Sequence, residues 1–420
     1  MTTLAIAALL VFSQSQTVDG GTAVAPVSSP SANPDDKDEG LSGVRVPNPK
    51  KDAPDADSPN DQARAPENQP SPAGANPPMA ILGEWWKKLR PFGYVKAGVF
   101  YTFPFTNEQL VGSNGGFRIA TARIGMEFAL VEQLQVVASV EIGAPQLRPD
   151  DPLQGGRIVE MRDAYIEYRP FRFLWFRIGQ FKAPFNGETL LGDADLPFLT
   201  RSVVTDGVNP PEAFGREGLT LGRQVGAQLS SDRLGGDAFG FRYYIAAVNG
   251  NGQNQLFNDS NPIAPVGRIE LDVFRTVSLG INGFYNVRTE GIRPNRLNVN
   301  QIGYGADLAL RLGGFRALAG FLGRNNSYST GILPPDMSMG FFGQMQYVLE
   351  SLGLEGAVRF AWLDPSSAQT ADSVWDIAAL IGYRFKAVPL RVILQYTHRE
   401  EEPAVAIQNE SLDFMVQATW

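Results

Sequence analysis

One pattern limits what this chain can fold into: between Phe92 and its last residue, Trp420, apolar and polar residues alternate in segment after segment. The closing segment shows it most fully. Leu412, Phe414, Val416, Ala418 and Trp420 are apolar at every second position, Ser411, Asp413, Gln417 and Thr419 lie between them, and Met415 is the one apolar intruder. A period of two places successive side chains on opposite faces of a β-strand, so each segment has one oily face and one wet face. Val95, Ala97, Val99, Tyr101 and Phe103 alternate in the same way with Tyr94, Lys96 and Gly98. So do Ile302, Tyr304, Ala306, Leu308 and Leu310 with Gln301, Gly303, Gly305, Asp307 and Arg311.

The chain supplies about sixteen such segments of roughly ten to sixteen residues, long enough to cross a hydrocarbon layer at a tilt. Their connections alternate too. Tight turns fall near Glu132, at Pro170-Phe171-Arg172, near Arg275, at Gly313-Gly314 and at Glu350-Ser351. Between them come long stretches rich in Gly, Pro, Asn and Asp, at 104–116, 144–156, 186–215, 249–264, 288–298, 325–337 and 364–372. A soluble sandwich has no reason to keep that order. The expectation is an all-β fold: a transmembrane antiparallel up-and-down β-barrel of about sixteen strands, with short periplasmic turns and long outer loops. The last strand should pair with the first near Tyr94, with Phe414 in the closing strand and Trp420 at the membrane interface.

No apolar run reaches the ~20 residues of a membrane-spanning helix. Residues 1–15 read as a signal peptide whose apolar core is Leu4 to Phe12, although no Lys or Arg precedes it. Residues 16–80 read as a disordered periplasmic linker, since positions 20–79 hold 12 of the 30 prolines and almost no large apolar side chain. Residues 81–420 are left for the barrel. Of the net charge of −8, the first 80 residues carry −5 (5 basic, 10 acidic) and the rest −3 (31 basic, 34 acidic). A body without basic excess gives no reason to expect nucleic acid as a partner.

With no cysteine, thiol catalysis, disulfides and zinc–thiolate sites are excluded. His398 is the only histidine and sits at a strand end beside Arg399, Glu400, Glu401 and Glu402, which leaves no His-based metal site and a poor candidate for a catalytic triad. No enzyme activity, cofactor or metal is expected.

The alternation also assigns faces. Arg123, Arg169, Arg177, Arg268, Arg311, Arg359, Arg384 and Arg391 share parity with the wet side of their strands, as do Glu127, Glu141, Asp163, Glu167, Glu270, Asp272, Asp307, Glu355, Asp376 and Asp413. They should line a lumen, either as a field that sorts ions or as salt bridges that stiffen the wall. The longest interior connection, 186–215, contains Asp193, Asp195, Arg201, Asp206 and Glu212, with Arg216 at its exit. A connection this long tends to be functional. It either folds inward and narrows the lumen or caps the mouth and latches a neighbouring subunit.

Gly179-Gln180-Phe181-Lys182-Ala183-Pro184-Phe185, followed by Glu188, Leu190, Phe198 and Arg201-Ser202, resembles the strand-and-loop signature of the phosphate-selective porin O and P family of Gram-negative outer membranes. The resemblance implies a sixteen-stranded homotrimer whose third loop folds into the channel, with Lys182 and Arg201 guiding anions. Two features depart from that pattern: the loop has more acids than bases, and the body has only five lysines.

The expected function is passive diffusion of small hydrophilic solutes, anions such as phosphate foremost, across outer-membrane lipid. Lys182, Arg201, Arg216, Arg123, Arg177, Arg311, Arg359 and Arg384 are the candidate constriction and guiding residues. The alternative is a non-conducting structural or adhesive barrel whose outer loops bind a partner.

Overall fold

The computed structural model describes residues 85–103, 115–146, 156–208, 216–255, 257–258, 260, 262–290, 296–329, 334–402 and 408–420. The proposed signal peptide and Pro-rich linker lie outside these residues. After a single 3-10 turn at Trp85–Lys88 the chain runs through sixteen wall strands. They are β1 (Leu89–Thr102), β2 (Gly116–Val131), β3 (Leu134–Gln146), β4 (Gly156–Phe171), β5 (Leu174–Lys182), β6 (Arg223–Ser230), β7 (Phe239–Val248) and β8 (Ala264–Val273). There follow β9 (Val277–Glu290), β10 (Leu297–Leu312), β11 (Phe315–Tyr328), β12 (Asp336–Leu349), β13 (Leu354–Asp364), β14 (Val374–Arg384), β15 (Leu390–Glu401) and β16 (Gln408–Thr419).

Every strand pairs antiparallel with its sequence neighbours, and β16 closes on β1 with Tyr94 opposite Thr419 and Thr102 opposite Ser411. Closure removes the free edges that an open sheet would expose. The expected architecture and seam are both present. Two strands are shorter than the periodicity suggests, β5 with 9 residues and β6 with 8. They are short because the chain between them leaves the wall.

The two faces separate as the alternation requires. Ile124, Ile178, Ile269, Ile281 and Ile381 point outward and are exposed, a surface suited to hydrocarbon and costly in water. Their strand neighbours Arg123, Glu167, Arg268 and Glu355 are buried in the interior. Outward aromatic side chains gather near both rims. Phe171 stacked on Phe173, Tyr383 edge-on to Phe385, and Trp420 lie at the short-turn end; Tyr101, Phe341, Phe360, Trp362 and Trp375 lie toward the other. Aromatic bands at two levels are the mark of a wall that meets two membrane interfaces.

Trp420 is joined to Gly93 by reciprocal backbone hydrogen bonds of 3.1 Å, and its indole occupies the place where a Cβ on residue 93 would stand, 2.4 Å away. Only glycine at 93 leaves room for the ring. Phe414, by contrast, lies in mid-wall, exposed on the outer face opposite Val99.

Candidate functional site

The lumen contains described residues of the chain between β5 and β6. It begins at Asn186, whose positive φ of 72° turns the backbone off the wall, and forms two single-turn helices, α1 (Gly187–Leu190) and α2 (Val203–Asp206). The buried Glu188 carboxylate ties the turns together by accepting from the Ser202 backbone N–H and from the Ser202 and Thr205 hydroxyls. The Asn186 amide also donates to Thr205 Oγ1 at 2.8 Å. Residues far apart along the loop are thereby fixed without a long helix or a sheet.

Wall side chains then hold the loop's backbone from several directions. Lys96 of β1 donates to the Asp193 carbonyl (2.7 Å), Gln417 of β16 to Ala194 (2.9 Å), Arg391 of β15 to Leu196 and Pro197 (2.8 and 2.7 Å), and Arg359 of β13 to Thr200 (2.7 Å). On the other side, the Gly187 N–H donates to Asp307 of β10 at 3.0 Å. These contacts are made by inward-facing groups on β1, β10, β13, β15 and β16, so residues 187–200 lie inside the barrel. A loop at the mouth alone makes no such set.

Apolar contacts fill in between the polar ones. Val203, Val204, Val208 and Leu219 are fully buried against Val248, Ala264, Phe342, Leu363 and Val374 of the wall. Phe198 packs with Ala357, Ala378, Leu380, Ile393 and Met415, under the guanidinium of Arg359 at 4.8 Å. Met415, the apolar residue out of step in the last strand, therefore faces inward because a phenylalanine of the loop covers it. Burying such side chains is worth roughly 1.5–3 kcal/mol each relative to exposure, which makes the loop a packed element of the lumen.

The charged centre of the loop is Asp193. Arg123 of β2 approaches it at 2.6 Å, Arg223 of β6 at 3.2 Å and Lys182 of β5 at 3.8 Å, and Arg201 of the loop itself is ion-paired to it. Burial works to raise the Asp193 carboxyl, but the charges of Arg201, Lys182, Arg223 and Arg123 overturn that and hold it well below its ordinary value. Arg201 is shifted upward: burial opposes its charge, and Asp193 and Asp206 outweigh the burial. Arg123 and Arg223 also share Asp163, and Arg123 and Arg162 share Glu141, so the knot extends into the wall.

Elsewhere one carboxylate again holds two arginines: Glu167 takes Arg169 and Arg177, and Glu355 takes Arg384 and Arg391. Arg359 faces the fully buried Asp376 at 3.5 Å. Arg311 and Arg316, exposed to the lumen beside the Gly313-Gly314 turn, have no carboxylate within ion-pair distance among the described residues. Arg216 lies in a two-residue strand paired with Gly207–Val208.

Two cavities remain beside the loop. One, of about 500 Å³, is lined by Tyr94, Arg123, Asp193, Arg384, Arg391 and Trp420 among others; the second, of about 410 Å³, by Arg242, Arg268, Glu270, Asp307, Arg311 and Gln346 among others. Together their walls carry seven arginines (123, 242, 268, 311, 316, 384 and 391) and four carboxylates (193, 195, 270 and 307). The central place of Asp193 and the roles of Arg223, Arg242 and Arg316 were not anticipated from sequence. For Arg316 the signal was available: a two-glycine turn puts it directly across from Arg311.

Residues 95–259 match the family described as Phosphate-selective porin O and P. In that stretch the chain is similar to outer-membrane porins, and its fold is that of a sixteen-stranded antiparallel barrel. The motif at 179–202 that carries the resemblance lies inside the matched stretch. Solved structures with the same fold include an anion-selective porin from Comamonas acidovorans (11% identity, 79% of this chain and 99% of that one, TM-score 0.53) and the outer membrane channel DcaP of Acinetobacter baumannii (12%, 79% and 97%, 0.54). OmpF of Salmonella typhi, in complex with daunomycin, is a third (13%, 79% and 97%, 0.51). At these identities the likeness is one of fold. No curated protein matches the chain. Among the described residues no helix is long and apolar enough to cross a membrane, and no group of three or more His, Cys, Asp or Glu could hold a metal ion.

Proposed function

We propose that this porin lets small hydrophilic anions, phosphate among them, diffuse passively through a channel narrowed by the segment 186–215. The observation that carries this reading is the excess of arginine over carboxylate around the two cavities beside the loop. An anion leaving water loses hydration, and guanidinium groups along the wall offset part of that cost while nearby acids prevent tight trapping. That the Comamonas barrel is an anion-selective porin, and the name of the matched family, support the same sign.

Lys182 and Arg201 serve this function by positioning the loop through Asp193, and their charges add to the field only as part of that knot. Direct contact with the solute falls to groups that open on the cavities, Arg311 and Arg384 among the expected ones. Arg123, Arg177 and Arg359 brace the wall, and Arg216 stands at the loop's exit. The assembly is a homotrimer in outer-membrane lipid, in line with a solved trimer form of a similarly folded barrel, OmpT of Vibrio cholerae, and residues 16–80 extend into the periplasm.

The test is reversal-potential measurement on the purified protein in planar bilayers. Discrete conductance steps and a zero-current potential on the anion side are expected under a salt gradient. Arg311→Ala, which removes a positive charge that has no carboxylate within ion-pair distance among the described residues, should move that potential toward cations. A protein that inserts and never conducts would leave the non-conducting adhesive barrel as the better reading.

A further inference from the structure

Arg311 is the second-last residue of β10 and Arg316 the second of β11, and their Cα atoms are direct partners across the strand pair. Both side chains fall on the inward parity, and both are exposed to the lumen. Like charges directly opposite each other destabilise a sheet. Several other lumenal arginines are met by carboxylates, as at Glu167, Glu355 and Asp193. Here no carboxylate of the described residues comes within ion-pair distance of either guanidinium. The pair is a cationic corner that the fold leaves open.

A second observation places this corner on the solute's path. Of all the residues lining the two cavities, only two line both: Arg316 on the wall and Asp195 on the loop. These two residues therefore stand where the cavities adjoin. Asp195 is exposed and, among the described residues, ion-paired with nothing within 4 Å.

Resting on the reading of this chain as an anion-conducting porin, we propose that Arg311 and Arg316 form a two-arginine subsite for an oxyanion. Asp195 limits how long the ion stays there. Two planar forks on neighbouring strands suit a group with several oxygens, each able to accept a pair of hydrogen bonds, better than a spherical halide. Phosphate and small carboxylates share that chemistry. The carboxylate of Asp195 across the passage repels the bound ion, and so favours its release into the second cavity.

The experiment is single-channel recording of chloride current through the full protein, with inorganic phosphate or acetate added as blocker. The variants are Arg311→Gln, Arg316→Gln, Arg316→Lys and Asp195→Asn. Each Gln variant should raise the half-blocking concentration of the oxyanion about tenfold, the scale of one lost charge-assisted contact. Arg316→Lys should keep the chloride selectivity and still weaken the block, because lysine restores the charge without the fork. Asp195→Asn should lower the half-blocking concentration and lengthen each blocking event.

Block that weakens in both Gln variants supports the subsite, and the ion with the lower half-blocking concentration is the oxyanion it prefers. A channel that conducts, selects anions and shows the same block in all four variants overturns the subsite and leaves the porin reading standing. A protein that inserts without conducting overturns that reading itself. The Lys variant keeps the test meaningful should a Gln variant assemble poorly.

Discussion

Around Asp193 four cations share one carboxylate, whereas at Arg311 and Arg316 two cations face each other with none within ion-pair distance among the described residues. Both groups lie in the same lumen, and a count of charges treats them alike. They differ in what holds them. The cations at Asp193 come from β2, β5, β6 and the loop, so their attraction ties distant parts of the chain together. The corner at Arg311 belongs to one hairpin and ties nothing. Positive charge used for cohesion is neutralised locally, and positive charge left over is available to an ion in transit. The anion selectivity proposed for this barrel therefore depends less on how many arginines enter the lumen than on which remain unpaired.

The strongest way to break the contrast is Asp193→Ala. It leaves three wall cations and Arg201 without their common partner, and removing one member of such a buried set costs about 3–5 kcal/mol. Lower thermal stability in detergent is expected, together with larger and noisier conductance as the loop loosens. The same substitution at Asp195, which has no ion pair among the described residues, should leave stability unchanged. Phe198→Ala attacks the loop by its apolar contacts instead. Emptying the pocket over Ile393 and Met415 should cost about 3 kcal/mol, with conductance rising but selectivity little altered, since no charge is removed. A loop that stayed rigid in both variants would show that it needs neither anchor.

Acid offers a graded version of the first test. The Asp193 carboxyl is held well below its ordinary value of 3.8 in the folded protein. A group with a depressed folded value stabilises fully above its unfolded value and loses that contribution as pH falls through the folded one. Conductance should therefore be insensitive to loop release from neutral pH down to about pH 4, and change only in stronger acid. A transition centred near pH 6 would contradict the assignment of Asp193 as the latch.

Much of this was readable before any coordinates. Alternation of period two and the order of short and long connections depend on neighbours in sequence, so the barrel, the turn at Gly313-Gly314 and the seam at Tyr94 were legible. Met415 was legible only as an exception. Its cause, Phe198, lies more than two hundred positions away, and no periodicity carries that information. The pairing of Asp193 with Arg123, Lys182, Arg201 and Arg223 was hidden for the same reason. Parity tells which side of a wall a charge takes, but not which opposite charge it meets across the lumen. That is why Lys182 and Arg201 stood out from the motif as guides for solute, while Arg316, outside the motif, did not stand out at all.

The smallest expected effect gives the sharpest comparison. Lys182→Gln and Arg316→Gln each remove one positive charge from the same lumen. Lys182 is the most distant of the four cations around Asp193, at 3.8 Å, and its amine also donates to the Leu191 carbonyl, a contact glutamine can partly replace. With Arg123, Arg201 and Arg223 still in place, Asp193 keeps most of its neutralisation. Arg316 has no carboxylate within ion-pair distance among the described residues, so the loss falls on the passing ion. If total charge governed selectivity, the two variants would move the zero-current potential equally toward cations. If unpaired charge governs it, Arg316→Gln should move the potential clearly and Lys182→Gln by only a few millivolts, on the order of a tenth of RT/F or less of residual field at a paired site.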